Sequence, residues 1–321
     1  MKEVAVLVPQ HYKLLSVAAL LDVLETVNKN FSKQGEPVPY NISMVRMDEE
    51  CNGESFLQYM PHGLSADYKA DLVLVPSFTT DNLPRTIEAN RAFIPWLHRQ
   101  YNTGASLASF CTGAFLLGAS GLLNGKVATT HVDAAKALAT SFPEIIVMPD
   151  KTVTEDGRMF TSGGSTSTFH LLLHLVQLDC GQDVAIRMAK LFSIDMDRQN
   201  QTYFSTFHPA KDHHDDLVAT AQEKIETSYH SSGTIEEMIR DIPSSRRNMV
   251  RRFKQVTGVT PIEYLQLTRI EAAKKLLEQT AQQMTEVILN TGYNDPKAFR
   301  KIFRKTVGMT PTEYREKFQT R

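Results

Sequence analysis

The chain has 321 residues, 42% of them hydrophobic and 22% charged, and a formal net charge of −1. That length exceeds one average domain, so two domains are expected, and the composition excludes a disordered, collagenous or disulfide-stapled chain. The near-zero charge conceals an asymmetry: residues 217–321 carry 18 Lys and Arg against 12 Asp and Glu, while the preceding 216 residues carry 17 against 24. An acidic body with a basic tail points the tail toward a polyanion, although a solvated basic face has the same charge.

In chain order, VAVLVP (4–9) is a short apolar run, too short for the hydrophobic region of a signal peptide, and reads as a first strand. No run approaches the ~18 apolar residues needed to span a bilayer, and no membrane association is expected. LLSVAALLDVLETVNK follows as an amphipathic helix. YNISMVRM, DLVLVPS and ASLASF are further strands, and KALATSF and STFHLLLHLVQL are helices. Apolar strands alternating with helices predict a flavodoxin-like parallel sheet sandwiched by helices, with binding sites at the carboxyl ends of the strands. Three dispersed cysteines, Cys51, Cys111 and Cys180, have no metal-finger or C-x-x-C spacing, so reduced thiols and a cytoplasmic location are expected.

LASFCTGAF (107–115) places Cys111 directly after a strand, with Ser109 and Gly113 two residues to either side. Small residues are needed where a strand turns sharply into a helix, and a helix N-terminus behind a thiol lowers its pKa. A nucleophile elbow and a buried core cysteine both fit these residues. TSGGSTST (161–168), with Gly163 and Gly164, is placed near that elbow. His170 and His174 share a helical face, where a structural role is preferred to metal binding, and neither a metal nor a cofactor is expected. HPAKDHHDD (208–216) falls at the junction, so residues 196–216 are read as a solvated linker between domains at 1–195 and 217–321.

The C-terminal third repeats itself. RRFKQVTGVTPIEYL (251–265) and KIFRKTVGMTPTEYR (301–315) align at an offset of 50, matching Phe253/Phe303, Gly258/Gly308, Thr260/Thr310, Pro261/Pro311, Glu263/Glu313 and Tyr264/Tyr314. Each copy reads as helix, turn, helix. Ser245 caps one second helix; Asp295 caps the other, and Pro296 sits at its first position. Met249/Phe253 and Phe299/Phe303 form buried faces, while Arg247/Arg251 and Lys297/Lys301 form basic ones. Cations on the helix after a tight turn match a recognition helix, so an all-α domain with two helix-turn-helix units on double-stranded DNA is expected.

These stretches closely resemble the AraC/XylS-type DNA-binding domain, in which RIEAAKKLL (269–277) would be the connecting helix. The resemblance implies that Arg247, Val250 and Arg251 in the first unit, and Lys297, Arg300 and Lys301 in the second, lie toward bases, with Asn294 also among the DNA-binding residues. It leaves Arg246 and Arg252 on phosphates, and Pro243 stands where the family usually has glycine.

ASFCTGAFLLGASGLLNGKVATTH and DGRMFTSGGSTSTFHLLLHLV resemble the class I glutamine amidotransferase-like (PfpI-type) superfamily, and the two domains together resemble the GlxA-like transcriptional regulators. In related hydrolases and hydratases the elbow cysteine works with a histidine or with an acid just after the first strand. Here Leu15 or Ser16 stands where that acid belongs. Ser77-Phe78 replaces the usual glycine of the oxyanion loop, and His170 replaces an aspartate. The chain is therefore expected not to be an enzyme. Its expected ligand pocket contains Cys111, Thr112, Ser77, Phe78, Ser16, His131, Gly163 and Gly164, for an unidentified small-molecule effector acting on a homodimer. Two alternatives are a DNA-tethered hydrolase or hydratase using Cys111, and a thiol redox sensor.

Overall fold

The computed structural model describes residues 1–319 other than 52, 54 and 212, and the chain divides into two compact units, Met1–Gln201 and Thr202–Arg321. The first unit runs β1 (Lys2–Leu7), α1 (Leu14–Lys33), β2 (Tyr40–Arg46), β3 (His62–Gly63), β4 (Leu72–Val75), α2 (Leu83–Ala89), α3 (Phe93–Asn102) and β5 (Ser106–Phe110). It continues through α4 (Ala114–Ala119), β6 (Val127–Ala128), α5 (Ala135–Ser141), β7 (Ile146–Val147), β8 (Val153–Asp156), β9 (Met159–Ser162), α6 (Ser167–Cys180) and α7 (Gln182–Leu191).

Seven strands form one sheet in the order β3-β2-β1-β4-β5-β9-β8, parallel throughout except for the β8–β9 hairpin. Successive strand residues point to opposite faces, so β1 feeds two cores. Val4 and Val6 pack with α1, α6 and α7, whereas Ala5 and Leu7 pack with Phe93, Trp96 and Leu97 of α3 and with α4. Burial on both faces explains why the strands read as continuous apolar runs. From β1 the order steps one way to β2, and from β4 the other way to β5. The switch point therefore lies between the carboxyl ends of β1 and β4, beside that of β5, where a crevice opens in such sheets.

The second unit runs α8 (Asp216–Ser228), α9 (Ile235–Met238), α10 (Arg246–Thr257), α11 (Pro261–Gln279), α12 (Met284–Asn290), α13 (Pro296–Val307) and α14 (Pro311–Phe318). It has two cores. Val218, Ile225, Met249, Phe253 and Tyr264 form one; Ile270, Leu277, Val287, Phe299, Phe303 and Tyr314 form the other. The long α11 serves both, with Tyr264 and Leu265 near its start in the first core and Ile270, Ala273 and Leu277 in the second. The repeat survives in detail. Thr260/Glu263 and Thr310/Glu313 are both capping boxes, and Tyr264 and Tyr314 donate to Glu226 and Glu278, each at 2.5 Å. Gly292 is demanded by the turn before α13: its φ is +80°, and a Cβ there would lie 2.3 Å from the Tyr229 carbonyl oxygen.

The stretch expected to be a solvated linker is packed instead. Tyr203 joins the second core of this unit, Phe207 stacks edge-on against Tyr264, Lys211 pairs with Glu226 at 2.8 Å, and His213 meets Gln222 at 2.8 Å. Its aromatics, Tyr203, Phe204 and Phe207, carry no periodic signal, so only the folded partners reveal the packing. Asp212, part of the same motif, lies outside the described residues.

Candidate functional site

Cys111 follows β5 in the left-handed region, at φ +53°, which is costly for a residue with a Cβ. The tight elbow rests on the end of β4: a Cβ at Gly113 would lie 2.4 Å from the Val75 carbonyl oxygen and 2.9 Å from that of Pro76. The thiol is 1% exposed. Burial pushes its pKa above the ordinary thiol range, and the Lys13 ammonium and the Thr112 amide and hydroxyl offset this only in part. The α4 helix is a six-residue stub reached through a 3-10 turn, and burial is the largest influence on the thiol.

Around the elbow, the groups that would hold a reacting oxyanion are already in use. The Ser77 N–H donates to Ser16 Oγ at 3.0 Å, and the Phe78 N–H donates to Thr112 Oγ1 at 2.9 Å. Thr112 in turn donates to the Phe78 carbonyl at 2.7 Å. Lys13 N–H to the Ser77 carbonyl, 2.8 Å, and Thr79 N–H to the His11 carbonyl, 2.8 Å, lace the loop after β1 to the loop after β4. Buried Asn90 holds the first of these by accepting from the Gln10 N–H at 2.6 Å. Ser16 thus takes the place of an acid with a hydroxyl that acts as an acceptor for the neighbouring loop.

The other residues expected in the pocket fall on one wall. Thr130 Oγ1 donates to the Cys111 carbonyl at 2.7 Å, and His131 accepts the Asp133 N–H at 3.2 Å on Nδ1. The His131 ring covers Gly164, where a Cβ would lie 3.1 Å from its Cδ2. Among the described residues, Lys13 and Thr112 are the groups that act on the thiol. Sequence reasoning missed Lys13, Thr129, Thr130 and Gln201. Of these, the threonines lie within the stretch ending at His131 and Lys13 directly precedes the first helix, whereas Gln201 adjoins no motif that was singled out. A groove of about 360 Å³ in this unit lies elsewhere, between β8 and α6, lined by Lys151, Thr152, His170, His174 and Arg198. There His174 meets Glu155 at 2.7 Å, and both His170 ring nitrogens face backbone carbonyls, of Thr166 at 3.3 Å and Asp195 at 3.0 Å. Among the described residues no group of three or more His, Cys, Asp or Glu could hold a metal.

These contacts predict a slow thiol. In the native chain at pH 7.5, Cys111 is expected to react with iodoacetamide at least ~10-fold more slowly than in urea, because the neutral thiol is a poor nucleophile. Its rate should climb as pH rises past the ordinary thiol range. Peptide mass spectrometry reads the labelling, and equal rates in native and unfolded protein would mark an activated thiol.

In the second unit, Ser245 accepts the Asn248 N–H and Asp295 the Lys297 N–H, starting α10 and α13 just after their turns. Arg247, Val250, Arg251, Asn294, Lys297, Arg300 and Lys301 are all exposed. Arg251 is steadied by Asn248 Oδ1 at 3.0 Å, and Arg246 pairs with Glu236 at 3.0 Å. Arg252 does not fit the phosphate role expected of it. Its fork is closed on Asp215 at 2.9 and 2.8 Å, and that bond holds the Asp215 carboxyl below its usual range. The two units also differ beside their second helices. A groove of about 350 Å³ at α10 is lined by Ile235, Ile242, Met249, Val250 and Ile262, and one of about 780 Å³ at α13 by Arg300, Lys301, Arg304 and Lys305.

Fold and site together define an α/β domain built around a nucleophile-elbow cysteine, followed by a tandem helix-turn-helix domain. Residues 2–178 match the DJ-1/PfpI family, to which the chain belongs, and residues 240–317 match a helix-turn-helix domain. The HTH-type transcriptional regulator GbdR of Pseudomonas aeruginosa is 25% identical over 299 residues, covering 86% of this chain and 79% of that protein. The HTH-type transcriptional regulator GlxA of Rhizobium meliloti is 26% identical over 229 residues, 69% of this chain and 68% of that one. A solved structure of a candidate transcriptional regulator from Vibrio parahaemolyticus covers 59% of this chain and 98% of its own, with a TM-score of 0.50 and 20% identity, and speaks for the fold alone. No helix among the described residues is long and apolar enough to cross a membrane.

Proposed function

We propose that this chain is a DNA-binding transcriptional regulator whose DJ-1/PfpI domain senses a small molecule without turning it over. It acts as a homodimer in the cytoplasm, reading paired half-sites through α10 and α13. The observation that carries the DNA-binding part is the doubled helix-turn-helix unit, each copy presenting exposed cations on its second helix. The non-catalytic part is supported by the elbow. Its neighbouring amides are bonded to Ser16 and Thr112, and burial pushes its thiol pKa up. An acyl transfer needs a free pair of donors aimed at the developing oxyanion and a partner to take the thiol proton. Three free cysteines, none paired, suit a reducing compartment.

The test is to select bound sequences from a random DNA pool with the full chain, then titrate the selected fragment with and without fractionated cell metabolites. A fraction that shifts the affinity is expected. No selected sequence would overturn regulation, and selection with no responsive fraction would overturn sensing.

A further inference from the structure

Gln201 ends the first compact unit with its side chain buried, 1% exposed. Its carboxamide nitrogen donates to Thr129 Oγ1 at 3.2 Å, to the Thr130 carbonyl at 2.9 Å and to the Pro149 carbonyl at 3.1 Å. Its oxygen accepts the Gly164 N–H at 3.0 Å. Three acceptors around the nitrogen and one donor at the oxygen match a primary carboxamide, whereas a carboxylate would set an anion against three acceptors. Gly163 makes the room, since a Cβ there would lie 2.0 Å from Gln201 Oε1. The same wall reaches the elbow through Thr130 and, by way of Gly164, the His131 ring.

The next residue opens the second unit. From there Tyr203 enters a core, the Ser205 carbonyl accepts from Lys274 Nζ at 2.5 Å, Phe207 packs on Tyr264, and Asp215 grips Arg252 of α10. Residues 203, 205, 207 and 215 are thus attached within the second unit, the last of them to α10.

We propose that the pocket between Thr129–Thr130 and Gly163–Gly164 is a binding site for small primary carboxamides, occupied in cis by Gln201, and that a carboxamide from solution replaces Gln201 and loosens the segment leading to α10. This rests on the regulator reading above. The built-in side chain competes from within the fold, so the incoming molecule must be abundant or gain further contacts toward Cys111 and His131.

The experiment uses the full chain and the DNA fragment it selects. Gln201→Ala removes the equivalent of acetamide. Adding acetamide at tens of millimolar is expected to raise the melting temperature of this variant, while acetate does not. The variant's DNA affinity should differ from wild type by about fivefold or more, the scale of a typical coupling between sites. Acetamide fills the pocket but cannot re-anchor the chain, so it should leave that altered affinity in place. High acetamide added to wild type should move its affinity toward that of the variant. Unchanged affinity in the variant, or affinity restored by acetamide, would reduce Gln201 to a structural plug and overturn the coupling. Equal stabilisation by acetate, or none by acetamide, would overturn the carboxamide site. If Gln201→Ala does not fold, Gln201→Met supplies the affinity comparison, and equal affinity in Gln201→Met and wild type overturns the coupling. Failure of the wild type to select DNA would strike the regulator reading, with the melting data still reporting on the pocket.

Discussion

Alanine at Arg247 or at Lys301 is expected to weaken binding to the selected DNA by ~1–3 kcal/mol, about 5- to 150-fold, for whichever of the two reads a base edge. Both side chains are exposed on the helix that follows a capped turn, and among the described residues neither carries a carboxylate partner of the kind that holds Arg246 and Arg252. The two variants should differ in character. An arginine fork suits a guanine edge, so loss of Arg247 should relax preference at one position of the site. A lysine acts as a point charge, and Lys301 stands among Arg300, Arg304 and Lys305. Its loss should lower affinity evenly across sequences and reduce the salt slope by about 0.9. Fluorescence anisotropy at several salt concentrations, on the selected site and on single-base variants, measures both. Wild-type affinity in both variants would remove α10 and α13 as the reading helices.

Phe303→Ala should strongly destabilise the second helix-turn-helix. The ring is fully buried, 5.6 Å from Phe299 and 5.7 Å from Tyr314 between centroids, in the core that also receives Ile270, Leu277 and Val287. Truncating such a ring costs about 3–5 kcal/mol, a large share of the ~5–15 kcal/mol that holds a domain together. The expected result is a fall in melting temperature of roughly 10–20 °C for the DNA-binding unit. Phe303→Leu, which refills most of the volume, should recover much of that loss. Calorimetry of the full chain would show the effect in one transition. An unshifted melt would mean that α13 does not depend on this core.

Most of the second unit was legible in the residues because its signals are local. Thr-Pro-x-Glu-Tyr sets a helix start by capping, glycine sets a helix end, and aromatic spacing sets the buried face; all recur after 50 residues. The centre of the sheet was legible for a similar reason, since β1, β4 and β5 are apolar runs buried along most of their length, whereas the short or polar β3 and β8 gave no such signal. The elbow at Cys111 was visible through its small neighbours, and Gly113 does lie against the end of β4. The residues left an elbow thiol and a buried thiol both open; burial, a property of the whole surrounding fold, pushes the pKa up.

The sequence by itself determined the class of protein: two domains, a parallel α/β body, and a basic pair of helix-turn-helix units. These follow from periodicity, caps and charge along short windows, which residues a few positions apart decide between them. Only the tertiary structure decided how the site is closed. Ser16 meets Ser77 across 61 residues, Thr112 meets Phe78 across 34, Gln201 meets Gly164 across 37, and Asp215 meets Arg252 across 37. Each is a side chain taking a donor or acceptor that another reading would leave open to a ligand or to DNA. Such pairings have no period and no local signature, because they depend on which distant segments the packed sheet and bundle bring within about 3 Å of one another.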